Sequence, residues 1–403
     1  MIILVLNCGS SSLKYQLLDM QDDNNYRLLA KGLVERIGMP DSVVKHTLAG
    51  KEKYTEESDF KDHTAAVQKV LELLKDPAQG ALKSLNEIDA VGHRMVHGAE
   101  AFSNSVVITP EVVDKVKECS EFAPLHNPAN LLGVAAVSKL MPKVPQVAVF
   151  DTAFHQTLPP YAFLYGLPYR YYEDYRIRKY GFHGSSHRFV SRRACEMTGL
   201  DPKNSRIVTC HLGNGSSITA VKNGKSIDTS MGFTPLDGLI MGTRCGSVDA
   251  GVVTYIENKE KLTPDQMNSI MNKESGFLGV SGVSSDSRDL EDAASKGDKR
   301  AAMTQKMLVY QVTKYIGAYA AVMGGLDAVV FTGGIGENNF ALRHDVLNNL
   351  KYLGCELNDE VNDGLRGKDT VLTYPSSKVI GLLVCTNEEL VIARDTMHLT
   401  ENE

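Results

Sequence analysis

The chain has 403 residues, 43% of them hydrophobic and 23% charged, with a formal net charge of -6. That length exceeds what one hydrophobic core usually supports, so two domains are expected, with the composition of a soluble globular protein. The negative balance excludes a general attraction to nucleic acid or to an anionic membrane, so a small anionic substrate must be drawn in by local arginines.

Seven cysteines (Cys8, Cys119, Cys195, Cys210, Cys245, Cys355, Cys385) are scattered and form no C-x-x-C pair. They read as reduced thiols of a cytoplasmic protein. No basic segment followed by a long apolar stretch opens the sequence, and no run approaches eighteen apolar residues, so neither a signal peptide nor a membrane span is expected.

Ile2 to Leu6 is an apolar run, Asn7-Cys8-Gly9-Ser10-Ser11-Ser12 is a turn of small residues, and Leu13 to Leu18 alternates. Together they predict a β-hairpin. The same grammar returns at Ile207 to His211, Leu212 to Ser217 and Ile218 to Val221. The repetition predicts two duplicated domains, each offering a backbone-rich tip to a shared cleft. Glycine and serine let main-chain N–H groups approach an anion such as phosphate, although either tip alone is equally an ordinary tight turn.

Between the first hairpin and Ser58 polar and charged residues dominate, with a turn at Met39-Pro40-Asp41. An amphipathic helix is predicted from His63 to Lys75, with Val67, Val70, Leu71 and Leu74 on one face. Ile88 to Gly98 reads as a strand. Its His93 and His97 would lie roughly 13 Å apart at a rise of about 3.3 Å per residue, which favours structural roles over a metal pair. Pro110 to Phe122 is a predicted helix with proline in its first turn, Ala123 to Pro128 a rigid loop, and Asn127-Pro128 opens a helix reaching Leu140. Val144 to Phe150 is a short buried strand that delivers Asp151, and the domain boundary is placed there.

Tyrosines crowd between Tyr161 and Tyr180 among Arg170, Arg176, Arg178 and Lys179. The acidic neighbours Glu173 and Asp174 argue against base stacking and for a domain-joining surface or dimer contact. Gly181 to His187 is a turn before a helix running to Met197. Val221 to Ser226 ends like a P-loop, but Thr219 stands where the leading glycine belongs, and Asn223-Gly224 signals a type I′ hairpin instead. Ala301 to Gly324 is a long helix. Ala328 to Phe331 is a strand followed by Thr332-Gly333-Gly334-Ile335-Gly336 and a helix beginning near Glu337, an order that suits a phosphate. It is not the dinucleotide fingerprint, because Asn339 occupies the third glycine's place. Val379 to Cys385 is a strand, and Asn387-Glu388-Glu389 caps a last helix that packs back on the first domain.

Oxygen ligands for Mg²⁺ can come from Glu388, Asn7 and Asp151, each just after an apolar strand, since that ion takes one or two carboxylates beside substrate phosphates. Each acid alone also fits a helix cap or a surface position. Arg94 ends a buried strand and Arg244 sits in the tight loop Met241 to Gly246, and the guanidinium fork suits a carboxylate or a phosphoryl group. Asp286-Ser287-Arg288 fits either a ribose and base edge or a loop salt bridge.

The stretches Leu6 to Lys14, Gly92 to Gly98, Phe150 to His155, Tyr180 to Gly184, His211 to Gly215, Met241 to Arg244, Thr332 to Asn338 and Thr386 to Glu389 together resemble the acetokinase family, over essentially the whole chain and in the family's order. The resemblance implies an α/β fold of the acetate and sugar kinase, Hsp70 and actin superfamily. Its two duplicated actin-like (ribonuclease H-like) domains have mixed β-sheets flanked by helices and a cleft between them, formed by residues 1–150 plus 385–403 and by residues 151–384. It implies a homodimer that transfers the ATP γ-phosphoryl group reversibly to acetate, giving acetyl phosphate and ADP, with Mg²⁺ as cofactor and Mn²⁺ as an alternative. Carried over by motif, Asn7 and Glu388 resemble metal ligands. Arg94 resembles the acetate-binding arginine, Asp151 the essential acid, and His183 and Arg244 the transition-state stabilisers. Val96, Leu125, Phe182 and Pro235 resemble the walls of the acyl pocket. Lys14, His211, Leu212, Gly213, Asn214, Gly215, Asp286, Ser287, Arg288, Gly334, Ile335, Gly336, Glu337 and Asn338 match nucleotide-contacting positions. Ala99, Cys245, Ser247, Ala250 and Cys385 depart from the family's common residues beside these sites. A propionate or butyrate kinase of the same family, or an actin-like nucleotide-dependent scaffold, is the rival reading.

Overall fold

The computed structural model describes residues 1–401. They form two compact units, residues 1–153 with 387–401, and residues 154–386.

The first unit is built on an eight-stranded sheet of order β5-β4-β3-β2-β1-β6-β8-β7. The strands are β1 (Ile2–Cys8), β2 (Ser12–Met20), β3 (Tyr26–Glu35), β4 (Ser42–Leu48), β5 (Tyr54–Ser58), β6 (Ala90–Met95), β7 (Val106–Val107) and β8 (Gln146–Phe150). β1 and β2 form the expected hairpin, with Asn7 opposite Lys14. β1, β6 and β8 run parallel, and all of β8 is buried, as the apolar run of a doubly covered strand requires. One face packs on the helices His63–Leu74 and Asn127–Leu140 through Val67, Val70, Leu71 and Val137. The helix Glu388–Thr400 covers the other face so closely that a Cβ on Gly92 would lie 2.4 Å from Thr396 Oγ1.

The polar stretch up to Ser58 forms β3, β4 and β5. Its alternation is masked because buried positions carry polar groups with partners. His46, fully buried, meets the Tyr15 hydroxyl at 2.5 Å and the Gln79 carbonyl at 2.9 Å.

The second unit repeats the pattern in a six-stranded sheet of order β11-β10-β9-β12-β14-β13. Its strands are β9 (Arg206–Leu212), β10 (Ser216–Lys222), β11 (Lys225–Thr229), β12 (Ala328–Thr332), β13 (Thr370–Val371) and β14 (Ile380–Leu383). The antiparallel run β11-β10-β9 followed by parallel β12 and β14 has the same order as β3-β2-β1 followed by β6 and β8. Asn223 and Gly224 both take positive φ, as the type I′ turn demands. The helix Lys299–Met323 buries Leu308, Val312, Ile316 and Tyr319 on one face. Val190, Ala194 and Cys195 of the helix Gly184–Thr198 pack on the other.

The helix after β12 begins at Gly333, not near Glu337. The Glu337 carboxylate folds back and accepts from Gly333 N at 3.0 Å and from Thr386 N at 3.1 Å. It thus organises the first turn from within, and the glycines are helical residues.

Candidate active site

In the first unit the pairing of β1 with β6 ends at Leu6 and His93. Beyond it the strand ends diverge, and crevices at the carboxyl ends of parallel strands are where ligands bind in such sheets. Arg94 and Asn7 stand at this opening. Arg94 grips Asp151 with two parallel bonds, Nε to Oδ1 at 3.0 Å and Nη2 to Oδ2 at 2.6 Å, and its Nη1 lies 3.4 Å from Asn7 Oδ1. Asp151 is held by its own N–H on the Met95 carbonyl. Burial pushes its carboxyl above the usual carboxylate range while Arg94 pulls it down. The Asp151 charge in turn raises the Arg94 guanidinium further.

Glu388, at the start of the C-terminal helix, buries Oε1 with no hydrogen-bond partner among the described residues. An orphaned carboxylate oxygen is costly unless something binds it. Together with the weakly engaged Asn7 carbonyl it fits an oxygen-seeking divalent cation such as Mg²⁺. Among the described residues no cluster of three or more His, Cys, Asp or Glu side chains forms a closed metal cage. Lys14 is half-exposed and paired with Glu389. The main chain of Val96 is fixed by Asn130, whereas the Leu125 side chain is 75% exposed.

In the second unit His183, Arg244 and Gly215 come together. A Cβ on Gly215 would lie 3.4 Å from Arg244 Nη1 and 3.6 Å from His183 Nε2. The Arg244 loop is anchored on both sides by Gly242 N on the Asn214 carbonyl, Cys245 N on the Met271 carbonyl and Phe277 N on the Met241 carbonyl. A Cβ on Gly242 would fall 2.0 Å from Asn214 Oδ1, so a side chain there would have to displace the Asn214 carboxamide. The Arg244 guanidinium donates to the Pro235 carbonyl at 3.0 Å and has no carboxylate partner among the described residues, and burial lowers its pKa.

His183 adopts a left-handed conformation, φ 55°, at the N-terminus of its helix and stacks on His211 at 4.2 Å. Its Nδ1 meets Ser217 Oγ at 2.8 Å, and Ser217 Oγ meets His187 Nε2 at 2.7 Å. The Thr209 hydroxyl donates to the Thr219 carbonyl and so accepts from His187 Nδ1. Burial keeps His187 neutral, so its Nε2 accepts from Ser217. Ser217 therefore accepts from His183 Nδ1–H, leaving Nε2 toward the glycine turn. Phe182 is buried, its carbonyl accepting from His155 Nε2 at 2.8 Å.

A cavity of about 700 Å³ opens beside these residues. It is lined by the expected Gly213, Asn214, Asp286, Ser287, Arg288, Gly334, Ile335 and Asn338. A Cβ on Gly213 would sit 3.9 Å from Gly334 N, so the two glycine turns meet edge to edge. Asp286 and Arg288 form the loop salt bridge, at 2.6 Å, and also line the cavity. His211, Leu212, Gly215, Gly336 and Glu337 are not among the lining residues. Leu212 and Gly336 are buried supports, and Glu337 is spent on backbone N–H groups. Sequence reasoning missed Ser285, Glu291, Asn339 and Arg366 in the same lining. Arg366 donates to the Asn338 carbonyl at 2.6 Å, a contact that no local spacing announces.

The family model described as the acetokinase family matches residues 2–394. The chain is 57% identical over 402 residues to acetate kinase of Clostridioides difficile, covering 100% of both chains. The crystal structure of Porphyromonas gingivalis acetate kinase superposes with a TM-score of 0.96 at 53% identity, over 99% of each chain. A propionate kinase from Francisella tularensis superposes at 0.90 with 39% identity, also over 99% of each. On its sequence and on both sheets, the chain belongs to the acetokinase family.

Proposed function

We propose that this protein is a kinase that moves the γ-phosphoryl group of ATP to acetate, reversibly, giving acetyl phosphate and ADP. The observation that carries the reading is the pair Arg244 and His183 on one glycine turn, a cation without an anion partner among the described residues beside an oriented imidazole. Full-length relatedness to acetate kinases supports it.

Acetate is ionised at neutral pH, so its oxygen needs no general base to attack phosphorus, and catalysis rests on alignment and charge neutralisation. Arg94, pre-oriented by Asp151 and Asn7, holds the carboxylate through its outer N–H groups. Val96, Leu125, Phe182 and Pro235 limit the acyl group. The turns at Gly213 and Gly334 admit the phosphates, and Asp286 to Arg288 with Arg366 hold the nucleoside end. Arg244 and the Nε2 side of His183 meet the equatorial oxygens of the transferring group, while Ser217 fixes the His183 ring. Glu388 and Asn7 would hold Mg²⁺, which when bound neutralises phosphate charge.

A homodimer is part of the proposal, supported by the exposed Val248, Val252 and Tyr255 on and beside the helix Ala250–Glu260, which buries no residue, and by exposed Tyr161, Tyr169 and Tyr175. A cytoplasmic setting is supported by seven free cysteines. No helix among the described residues is long and apolar enough to cross a membrane.

Trapping acyl phosphate with hydroxylamine, with acetate, propionate and butyrate offered in parallel, tests the reading. Acetate should give the highest kcat/KM. Preference for propionate would move the protein to the rival substrate, and no hydroxamate from any acid would reject phosphoryl transfer to carboxylates.

A further inference from the structure

We propose that Asn130 and Asn127 are positioning and specificity-determining residues of the acyl site, acting as a carboxamide wedge that holds open the strand ends carrying Arg94 and Val96. The proposal rests on the acetate-kinase reading above.

β1 and β6 stop pairing after Leu6 and His93, so beyond that point the two strands no longer bond to each other, although β1 stays paired to β2 as far as Cys8 and β6 to β8 as far as Met95. Asn130 reaches both at once. Its Nδ2 donates to the Cys8 carbonyl at 2.6 Å, at the end of β1, and its Oδ1 accepts from Val96 N at 3.1 Å, just past the end of β6. Asn127, one helical turn earlier, treats His97 as a strand neighbour would. It accepts from His97 N at 3.1 Å and donates to the His97 carbonyl at 2.8 Å. The next N–H groups go to Thr152 Oγ1, from Gly98 at 3.0 Å, and to His97 Nδ1, from Ala99 at 3.0 Å. Every N–H from Val96 to Ala99 therefore has a named acceptor, and the two that flank the acyl-site residue Val96 most closely come from one helix.

That helix reaches the seam because Gly133 lets it. Asn127, Asn130 and Gly133 lie at i, i+3 and i+6 on one side of the helix Asn127–Leu140. A Cβ on Gly133 would sit 2.4 Å from Cys8 Sγ. Both asparagines are buried, at 0% and 2% exposure, and two buried carboxamides that between them bond four backbone groups set geometry more stringently than apolar packing does. The helix also carries Leu125 just ahead of its first residue. One rigid element thus fixes the Val96 peptide and the approach of the Leu125 wall, so the width of the acyl pocket follows from where the wedge sits.

The experiment compares wild type, Asn130→Ala, Asn130→Ser and Asn127→Ala by hydroxamate formation with acetate and propionate, with circular dichroism to certify folding. For folded Asn130 variants acetate kcat/KM should fall by about 100-fold, the cost of misplacing a substrate by an ångström. The acetate-to-propionate ratio should shift by about fivefold or more toward weaker discrimination, while the ATP KM stays within about twofold. Asn127→Ala should move the ratio in the same direction and serves where the Asn130 variants do not fold. A folded variant that melts earlier yet keeps the wild-type acetate KM and acyl ratio overturns the wedge and leaves only a structural role. An inactive wild type would instead reject the underlying reading.

Discussion

Replacing Arg244 by alanine separates turnover from folding. Arg244 sits on a loop pinned by main-chain bonds at Gly242, Cys245 and Phe277, so the loop does not depend on the guanidinium. A positioned arginine on a transferring phosphoryl group accounts for about 10³ to 10⁵ in kcat, which at 1.36 kcal/mol per decade is roughly 4 to 7 kcal/mol of transition-state stabilisation. The stability ledger runs differently. The variant loses one charged hydrogen bond to oxygen, Nη1 to the Pro235 carbonyl at 3.0 Å, of the kind that contributes about 1.5 to 3 kcal/mol, and a weaker one to Met241 Sδ at 3.6 Å. It also removes a cation whose burial already works against its charge and which has no anion partner among the described residues, and water can reach the half-buried Pro235. The two effects oppose, so the net change is about 1 kcal/mol or less, a melting shift under about 4 °C. Steady-state kinetics with acetate and ATP varied separately, beside calorimetry, gives both numbers. An acetate KM raised more than about tenfold with kcat within about threefold would make Arg244 a ground-state binder. A melting loss above about 8 °C would show that the loop needs it after all.

Arg94→Ala should behave in the opposite way, because it strands the buried Asp151. Breaking such a pair costs about 3 to 5 kcal/mol, or roughly 6 to 20 °C in the unit that holds it. Asp151 already has its folded pKa raised above the ordinary 3.8, so its stability contribution is lost as pH rises from there. Without Arg94 the pKa climbs further, and the melting deficit should be larger at pH 8 than at pH 5, a pH-independent deficit counting against the argument. Glu388→Gln should raise the Mg²⁺ concentration for half-maximal activity about tenfold or more without lowering the melting temperature, since Oε1 has no hydrogen-bond partner among the described residues and its charge attracts Arg94 while repelling Asp151. Titration with Mg²⁺ at saturating ATP and acetate checks this, and an unchanged requirement removes Glu388 from the metal site. Gly215→Ala should fold normally, because its Cβ meets Arg244 and His183 at ordinary contact distances. It should nevertheless lower kcat by crowding the phosphoryl position, and wild-type turnover would place the reaction elsewhere.

The two hairpins, the long helix Lys299–Met323 and the strands Gln146–Phe150 and Ala328–Thr332 were legible because their apolar spacing is undiluted. β4 was not, since Ser42 and His46 fill inward positions, Ser42 satisfied by the Arg36 and Met39 carbonyls of the preceding turn and His46 by Tyr15 and Gln79, far away in sequence. The start of the Gly333 helix was hidden for a related reason. Consecutive glycines argue for a loop, and only the return of the Glu337 carboxylate to Gly333 N makes a turn of helix there. Within the site, residues set in short motifs such as Arg94, Gly213 and Gly334 could be read from local order. Ser217, Asn130 and Arg366 could not, because each acquires its role from a partner that the fold alone brings near.

His183 occupies the left-handed region at φ 55°, a conformation that disfavours a non-glycine residue by about 1 to 2 kcal/mol. A mutant library screened only for heat resistance should therefore enrich glycine or asparagine at this position, and the survivors would be sturdy but slow. Any programme that breeds a tougher version of this enzyme has to score turnover in every round, since a costly backbone angle and the imidazole proposed to meet the phosphoryl group belong to one residue.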